Sequence, residues 1–511
     1  MRRNVSKPLN QEAENALMEH LFAFPEVTFE QFLRLPERMR REIVERNRVI
    51  NTDTYNRTMA HVKGKEDAKK QETYVLQLRR AAEGYLIACG VREAIEKVTN
   101  LPITKAEVDF AADYYEHYGN VPFFNRDMWM SVVHNGGKLP LEIDAVPDGT
   151  AIRAGDPVLR VSGPGELAAH FEPQMHRVFY QTLVATTARE IAEKVGAHRF
   201  IEVGKRGTPN EDMHLQAAVA MYVGGGISYT SNDAAAACYP QLKDVGTLGH
   251  RFIQFYETED EAFRKAVEKT DATSLLIDLV DSYKGIDKAL ELKQEFRDSG
   301  KKIWIRLDSG DITEQTIHTL KKFKELGFDD PTLDKVVVED ISTVDDMVKI
   351  DEAVRAAGLD PDKHVIYGAG GLLVTKMKER SNASSGYKLA RVGEGESAQD
   401  KMKFSDSPGK ESLPGHATLA IKDGQRTIVT EEEAARGGYQ SLMVPAYRDG
   451  EVLLSDNLDE ARVRANLSYA QLRAECPEGF TANERTPLSP GVQAAVQTLR
   501  AHYGALKESV A

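Results

Sequence analysis

Ile305-Arg306-Leu307-Asp308-Ser309-Gly310-Asp311-Ile312 reads I-R-L-D-S-G-D-I, an apolar strand end that runs into a turn rich in carboxylates. The run starts at Ile303, after a Gly-Lys-Lys turn, which predicts a short strand. Further along, Tyr367-Gly368-Ala369-Gly370-Gly371 closes a second apolar run, His364 to Tyr367, that follows Asp362-Lys363. In a parallel α/β fold the ligand lies beyond the carboxyl ends of the strands. One end therefore offers an arginine with two carboxylates. The other offers a glycine loop opening a helix from Leu372 to Lys378. Carboxylates and glycine amides together suit a metal-bound phosphorylated sugar. Each motif alone also describes an ordinary turn, so their order and spacing carry the case.

Outward from these two strand ends, strand and helix patterns alternate from Arg199 to about Ala390. The predicted strands are Phe200–Val203, Ile227–Tyr229, Ser274–Asp278, Ile303–Leu307, Lys335–Glu339, Val365–Tyr367 and Tyr387–Arg391. Such a series implies a parallel barrel or an open doubly wound sheet. Leu139 to Val161 alternates like paired strands, with turns at Pro147-Asp148-Gly149 and Ala154-Gly155-Asp156. Glu166 to Ala197 has the three-and-four apolar spacing of a long helix, and a final helix is expected from Pro490 to Lys507. Residues 1–50 read as a charged helical extension, in which Glu37 to Glu42 is a solvated face.

A chain of 511 residues has room for two or more domains. With 41% hydrophobic and 28% charged residues it reads as an ordinary enzyme-sized globular protein. A net charge of −13 leaves no dominant basic face and argues against nucleic acid as a partner. Cys89, Cys238 and Cys476 are too few and too scattered for a disulfide framework or a zinc site. Met1 to Glu19 is polar, and no run approaches the ~20 apolar residues of a membrane span, so a cytoplasmic protein without a membrane partner is expected.

Four further segments complete a pattern: Asn51-Thr52-Asp53-Thr54-Tyr55-Asn56-Arg57-Thr58-Met59, Val203-Gly204-Lys205-Arg206-Gly207, Thr230-Ser231-Asn232 and Gly246-Thr247-Leu248-Gly249-His250. With R-L-D-S-G-D, Glu339-Asp340 and G-A-G-G, the chain resembles the nicotinate phosphoribosyltransferase family, close kin of the nicotinamide phosphoribosyltransferases. The resemblance runs from about residue 51, through Tyr387-Lys388-Leu389 and Lys403-Phe404-Ser405, to Lys410-Glu411-Ser412-Leu413-Pro414-Gly415.

The resemblance implies the irregular parallel α/β barrel of type II phosphoribosyltransferases over residues 166–399. A second, smaller α/β domain would form from residues 51–165, joined by residues 400–511. It implies transfer of phosphoribose from phosphoribosyl pyrophosphate to the ring nitrogen of a pyridine, a glycosyl transfer in pyridine nucleotide salvage toward NAD. Asp308 and Asp311 would hold Mg²⁺, Arg306 the diphosphate, and Asp340 the ribose hydroxyls. The amides of Gly370 and Gly371 would take the 5′-phosphate. Asp308 and Asp311 also suit caps of the helix Thr313–Leu326, and Asp340 suits a turn. Tyr55 corresponds to the aromatic that stacks on the pyridine from the neighbouring subunit, which implies a homodimer with shared active sites. Arg206 corresponds to the arginine beside the base.

Val203 stands where the family often has an aromatic, and Gly207 where nicotinate enzymes commonly have a second arginine, for which Lys205 is a substitute. Ser231 stands where nicotinamide enzymes carry an aspartate, whereas Gly370-Gly371 is the loop of the nicotinamide enzymes. The resemblance also implies ATP as a co-substrate that phosphorylates His250, with Asp281 either orienting that ring or capping the helix Lys284–Glu295. Nicotinate is the expected base. The alternatives are nicotinamide or a non-catalytic nucleotide-binding regulator.

Overall fold

The computed structural model describes residues 11–121, 123–375, 380–405 and 409–510. Two compact units are formed, one from Met1–Phe179, Arg380–Asn457 and Leu467–Ala511, the other from Tyr180–Glu379 and Leu458–Asn466.

The second unit holds seven parallel strands: β1 (Phe200–Glu202), β2 (Tyr229–Thr230), β3 (Lys243–Asp244), β4 (Ala272–Leu276), β5 (Lys302–Leu307), β6 (Val336–Val338) and β7 (Val365–Ala369). Their spatial order is β3-β2-β1-β7-β6-β5-β4, the cyclic order of a barrel open between β3 and β4. At that opening the Thr247 hydroxyl, just past β3, donates to the Ser274 carbonyl on β4 at 3.3 Å. The strands are Val-, Ile- and Leu-rich: Val336, Val338, Ile305, Leu307, Leu275 and Leu276 are all fully buried. Near-continuous apolar runs are what a parallel sheet covered on both faces requires. The helices Glu211–Gly225, Glu259–Lys269, Ser282–Glu295, Ile312–Leu326 and Val344–Ala356 supply the crossovers.

The expected strand Tyr387–Arg391 belongs elsewhere. Gly386–Val392 lies in the other unit and pairs antiparallel with Gln71–Gln77, Val75 opposite Lys388. The seventh barrel strand is β3, two exposed residues with no apolar run to reveal it.

The first unit is built on a seven-stranded sheet in the order Gln399–Asp400, Gly386–Val392, Gln71–Gln77, Pro157–Pro164, Glu142–Ala145, Val444–Arg448 and Glu451–Val452. The alternating stretch pairs as expected, Asp144 opposite Arg160, with Gly149 and Gly155 supplying the positive φ of its turns. The long helix expected from Glu166 is instead three: Gly165–His170, Glu172–His176 and Val178–Lys194. Pro173 sits at the start of the second, where its missing N–H costs nothing. The charged extension forms Gln11–Phe22, Phe29–Leu33 and Glu37–Arg46, the last with no buried residue. Phe24, Phe29 and Phe32 nevertheless cluster on Phe110, with ring centroids 5.1–5.2 Å away. Among the described residues no helix is long and apolar enough to cross a membrane.

Candidate active site

Arg306, the penultimate residue of β5, is 8% exposed and almost fully engaged. Its Nη1 donates to the Leu248 carbonyl at 2.9 Å, and its Nη2 reaches Asp308 Oδ2 and Glu339 Oε2, each at 2.9 Å. Its Nε–H is buried with no acceptor among the described residues. A buried donor in that state is costly unless an acceptor arrives, and a planar guanidinium is shaped for an oxyanion. Glu339, just past β6, sits in this field with its carboxyl pushed up to about 7, chiefly by burial, with Arg306 opposing the shift. Asp340 follows with an exposed side chain and φ of 59°, a left-handed conformation that costs a non-glycine residue energy and clusters at functional sites.

Asp308 and Asp311, expected together on a metal, part company. Asp311 caps Ile312–Leu326 by accepting from the Glu314 amide at 3.0 Å. Gly310, at φ +88°, turns the chain between the two aspartates. The groups that converge with Asp308 come from beyond β3 and β4: His250, Asp278 and Asp308 place ligand atoms within 4.8 Å of one another. His250 Nε2 lies 3.1 Å from Asp278 Oδ1, and the Ser309 hydroxyl donates to Asp278 Oδ2 at 2.5 Å. Asp281, offered as the partner of His250, instead caps Ser282–Glu295 through the Lys284 amide at 3.0 Å. Two carboxylates beside an imidazole fit a divalent cation, with the oxygens of Asp278 and Asp308 suited to Mg²⁺.

At the ends of β1 and β2 a buried carboxylate organises the backbone. Glu202, 1% exposed, accepts from the Gly204 amide, from Thr230 Oγ1 at 2.8 Å and from His214 Nε2 at 3.2 Å. The Asn232 amide donates to His214 Nδ1 at 2.9 Å, which fixes the ring in the tautomer that donates to Glu202. Asn232 also accepts from Lys205 Nζ at 2.8 Å and caps Asp233–Cys238, leaving Asp233 exposed. This network seats the Lys205–Gly207 turn, on which Arg206 is exposed, and Val203 and Ser231 lie partly buried on either side.

Gly204 and Gly370 press together. A Cβ on Gly204 would sit 2.0 Å from the Gly370 carbonyl oxygen, so no side chain is tolerated there. Gly371 opens the short helix Gly371–Val374. That helix ends at Val374 with Thr375 as its C-cap, and residues 376–378 of the helix expected to Lys378 lie outside the described residues. Strand ends β1, β2, β4, β5, β6 and β7 thus carry Arg206, Ser231, Asp278, Asp308, Asp340 and Gly370.

Tyr55 lies in the other unit, near the start of the helix Thr54–Asp67, 44% exposed. Its hydroxyl donates to Glu172, whose other oxygen meets His176 Nε2 at 3.4 Å. Sequence reading assigns no role to Asp278, Glu339, Glu202 or His214, although Glu339 stands in the Glu339-Asp340 motif. The first two follow from the same strand-end rule that selected Asp308, since each stands one or two residues past an apolar strand.

A family model described as the nicotinate phosphoribosyltransferase (NAPRTase) family matches residues 201–429, from β1 through all seven parallel strands. Over these residues the chain is similar to the nicotinate phosphoribosyltransferase family. The Bacillus subtilis nicotinate phosphoribosyltransferase is 27% identical over 401 residues, covering 77% of this chain and 76% of that one. The human nicotinate phosphoribosyltransferase is 24% identical over 427 residues, covering 72% and 76%. In fold, the crystal structure of human nicotinic acid phosphoribosyltransferase superposes with a TM-score of 0.65 at 21% identity, over 88% of this chain and 99% of that one. A nicotinate-nucleotide pyrophosphorylase from Pyrococcus furiosus gives 0.58 at 16% identity, over 83% and 94%. The chain thus has the type II phosphoribosyltransferase fold, as the motif order implied.

Proposed function

We propose that this chain is a nicotinate phosphoribosyltransferase, which transfers phosphoribose from phosphoribosyl pyrophosphate to nicotinate in NAD salvage and works as a cytoplasmic homodimer. The observation that carries the reading is the convergence of Arg306, Asp308, Asp278 and His250 at the carboxyl ends of parallel strands. The ring nitrogen of nicotinate attacks C1 of the ribose. The C1–O bond breaks, and its electron pair leaves with diphosphate. No proton moves at the nitrogen, so the site needs charge and position rather than a general base.

Arg306 receives the leaving diphosphate, its buried Nε–H and shared Nη2 supplying a forked donor. Asp278 and Asp308 would hold Mg²⁺, which supplies neutralisation of diphosphate charge when bound. Asp340 takes the ribose hydroxyls, and the Gly370 and Gly371 amides the 5′-phosphate. Arg206 faces the nicotinate carboxylate, and the neutral Ser231 donates to it rather than repelling it. Tyr55 supplies a stacking face to the partner's base.

ATP is the co-substrate. With Nε2–H donated to Asp278, His250 keeps a lone pair on Nδ1 for the γ-phosphorus, and ADP leaves as the N–P bond forms. The test is direct: wild type with phosphoribosyl pyrophosphate, Mg²⁺ and nicotinate should yield mononucleotide and diphosphate in equal amounts. Asp308→Ala should abolish this with its melting temperature nearly unchanged, because a partly exposed strand-end carboxylate contributes little to folding. Near-normal turnover in that variant would overturn the reading.

A further inference from the structure

Glu339 is an acid placed where the substrates bring their own anions. Its Oε2 lies 2.9 Å from Arg306 Nη2, the nitrogen that also reaches Asp308. The Glu339 side chain is 12% exposed and that of Arg306 is 10% exposed, so the contact is shielded from water. Its seat is shaped by Gly368, where an added Cβ would come within 3.0 Å of Glu339 Cγ. Arg206, on the turn after β1, adds its positive charge to the same carboxylate. Glu339 therefore feels both arginines that the proposed reaction presents to diphosphate and to nicotinate.

A buried guanidinium cannot be left without a counter-charge at low cost. Diphosphate satisfies Arg306 while bound, but it must also leave in every turnover. Nη1 is anchored on the Leu248 carbonyl, so the guanidinium stays in place and exchanges acceptors at Nη2 and Nε. We propose that Glu339 is the resident counter-ion of Arg306, a positioning residue that yields Nη2 to incoming diphosphate and reclaims it as diphosphate departs. This rests on Arg306 being the diphosphate ligand. The exchange breaks no covalent bond. It weakens diphosphate binding and speeds its release, which a residue that merely props up the arginine would not do.

The experiment measures Mg²⁺-diphosphate binding to the full-length protein by titration calorimetry, together with steady-state and first-turnover kinetics. Glu339→Gln keeps the shape and loses the charge. It should bind diphosphate on the order of tenfold more tightly. The same variant should lower both KM for phosphoribosyl pyrophosphate and kcat, and should show a burst of mononucleotide in the first turnover. Glu339→Asp, which keeps the charge, should return diphosphate affinity toward wild type, and Glu339→Ser gives a second uncharged variant should the amide disturb folding. Arg306→Ala should abolish binding. Unchanged or weaker binding in both uncharged variants, with Arg306→Ala inactive in binding, would overturn the role of Glu339 alone. Diphosphate binding retained by Arg306→Ala would overturn it through the arginine instead.

Discussion

The imidazole of His250 meets the carboxylate of Asp278 at 3.1 Å, while Asp281, three residues on, spends its side chain on the amide of Lys284. The two aspartates follow the same strand and have opposite fates. Asp278→Asn should therefore remove the stimulation by ATP and the acid-labile phosphate on His250. Asp281→Ala should keep both and cost about 1 kcal/mol of stability, the usual loss of a helix cap. Phosphoprotein analysis and chemical denaturation of the two variants decide it. A normal ATP response in Asp278→Asn would detach that residue from the histidine.

Asp340 predicts a divergence between stability and activity. Its φ of 59° is a conformation that glycine adopts freely. Asp340→Gly should leave the protein as stable as wild type or up to about 1 kcal/mol more so. Activity should nonetheless collapse, with KM for phosphoribosyl pyrophosphate rising, because the ribose hydroxyls lose their acceptor. A variant that is destabilised and fully active would reverse the assignment.

Much of this site could be read from one-dimensional pattern, and the exceptions have physical causes. Ile303–Leu307 and His364–Tyr367 are apolar runs bounded by turns, and the chemistry follows them directly. Lys243–Asp244 makes a barrel strand of two exposed residues, which no hydrophobic period can mark. Gly386–Val392 is strand-like in sequence, but its partner Gln71–Gln77 is distant in the chain, and nothing local says which sheet it joins. Asp281 invites a site role in sequence because a helix cap and a site residue look alike after a strand. Glu202 and His214 carry no mark in sequence because they act from within the fold, through Asn232 and the Gly204 amide, rather than at its surface.

His170 should govern part of the acid sensitivity. Burial lowers its pKa from 6.5 to about 4, and its Nε2 donates to the Arg48 carbonyl at 2.9 Å. The folded state thus prefers the neutral ring. Its stabilising contribution is complete above about pH 6.5 and is lost as the pH falls from there through 4, to a total on the order of 3 kcal/mol. His170→Gln should be less stable at pH 7 but flatter in stability between those limits. Parallel pH profiles for the two proteins would exclude the histidine as the source.

The N-terminal extension should prove integral to its unit. Phe29 stacks on Phe32 at 5.4 Å and meets Phe110 edge-on at 5.2 Å. Phe29→Ala should cost about 3 kcal/mol in denaturant unfolding. A loss below ~0.5 kcal/mol, the range of ordinary surface changes, would mean the cluster contributes nothing.

The choice of nicotinate as the pyridine turns on Ser231 and Arg206. A carboxylate at position 231 would face the substrate's own carboxylate, and at ~4 Å and an effective dielectric of ~20 their repulsion is on the order of 4 kcal/mol. That corresponds to roughly a thousandfold in affinity. The deciding measurement is kcat/KM for nicotinate and nicotinamide side by side, in wild type and in Ser231→Asp. Wild type should prefer nicotinate, and Ser231→Asp should lose nicotinate by about that factor while sparing nicotinamide. A wild-type preference for nicotinamide, or no transfer to either base, would overturn nicotinate as the substrate.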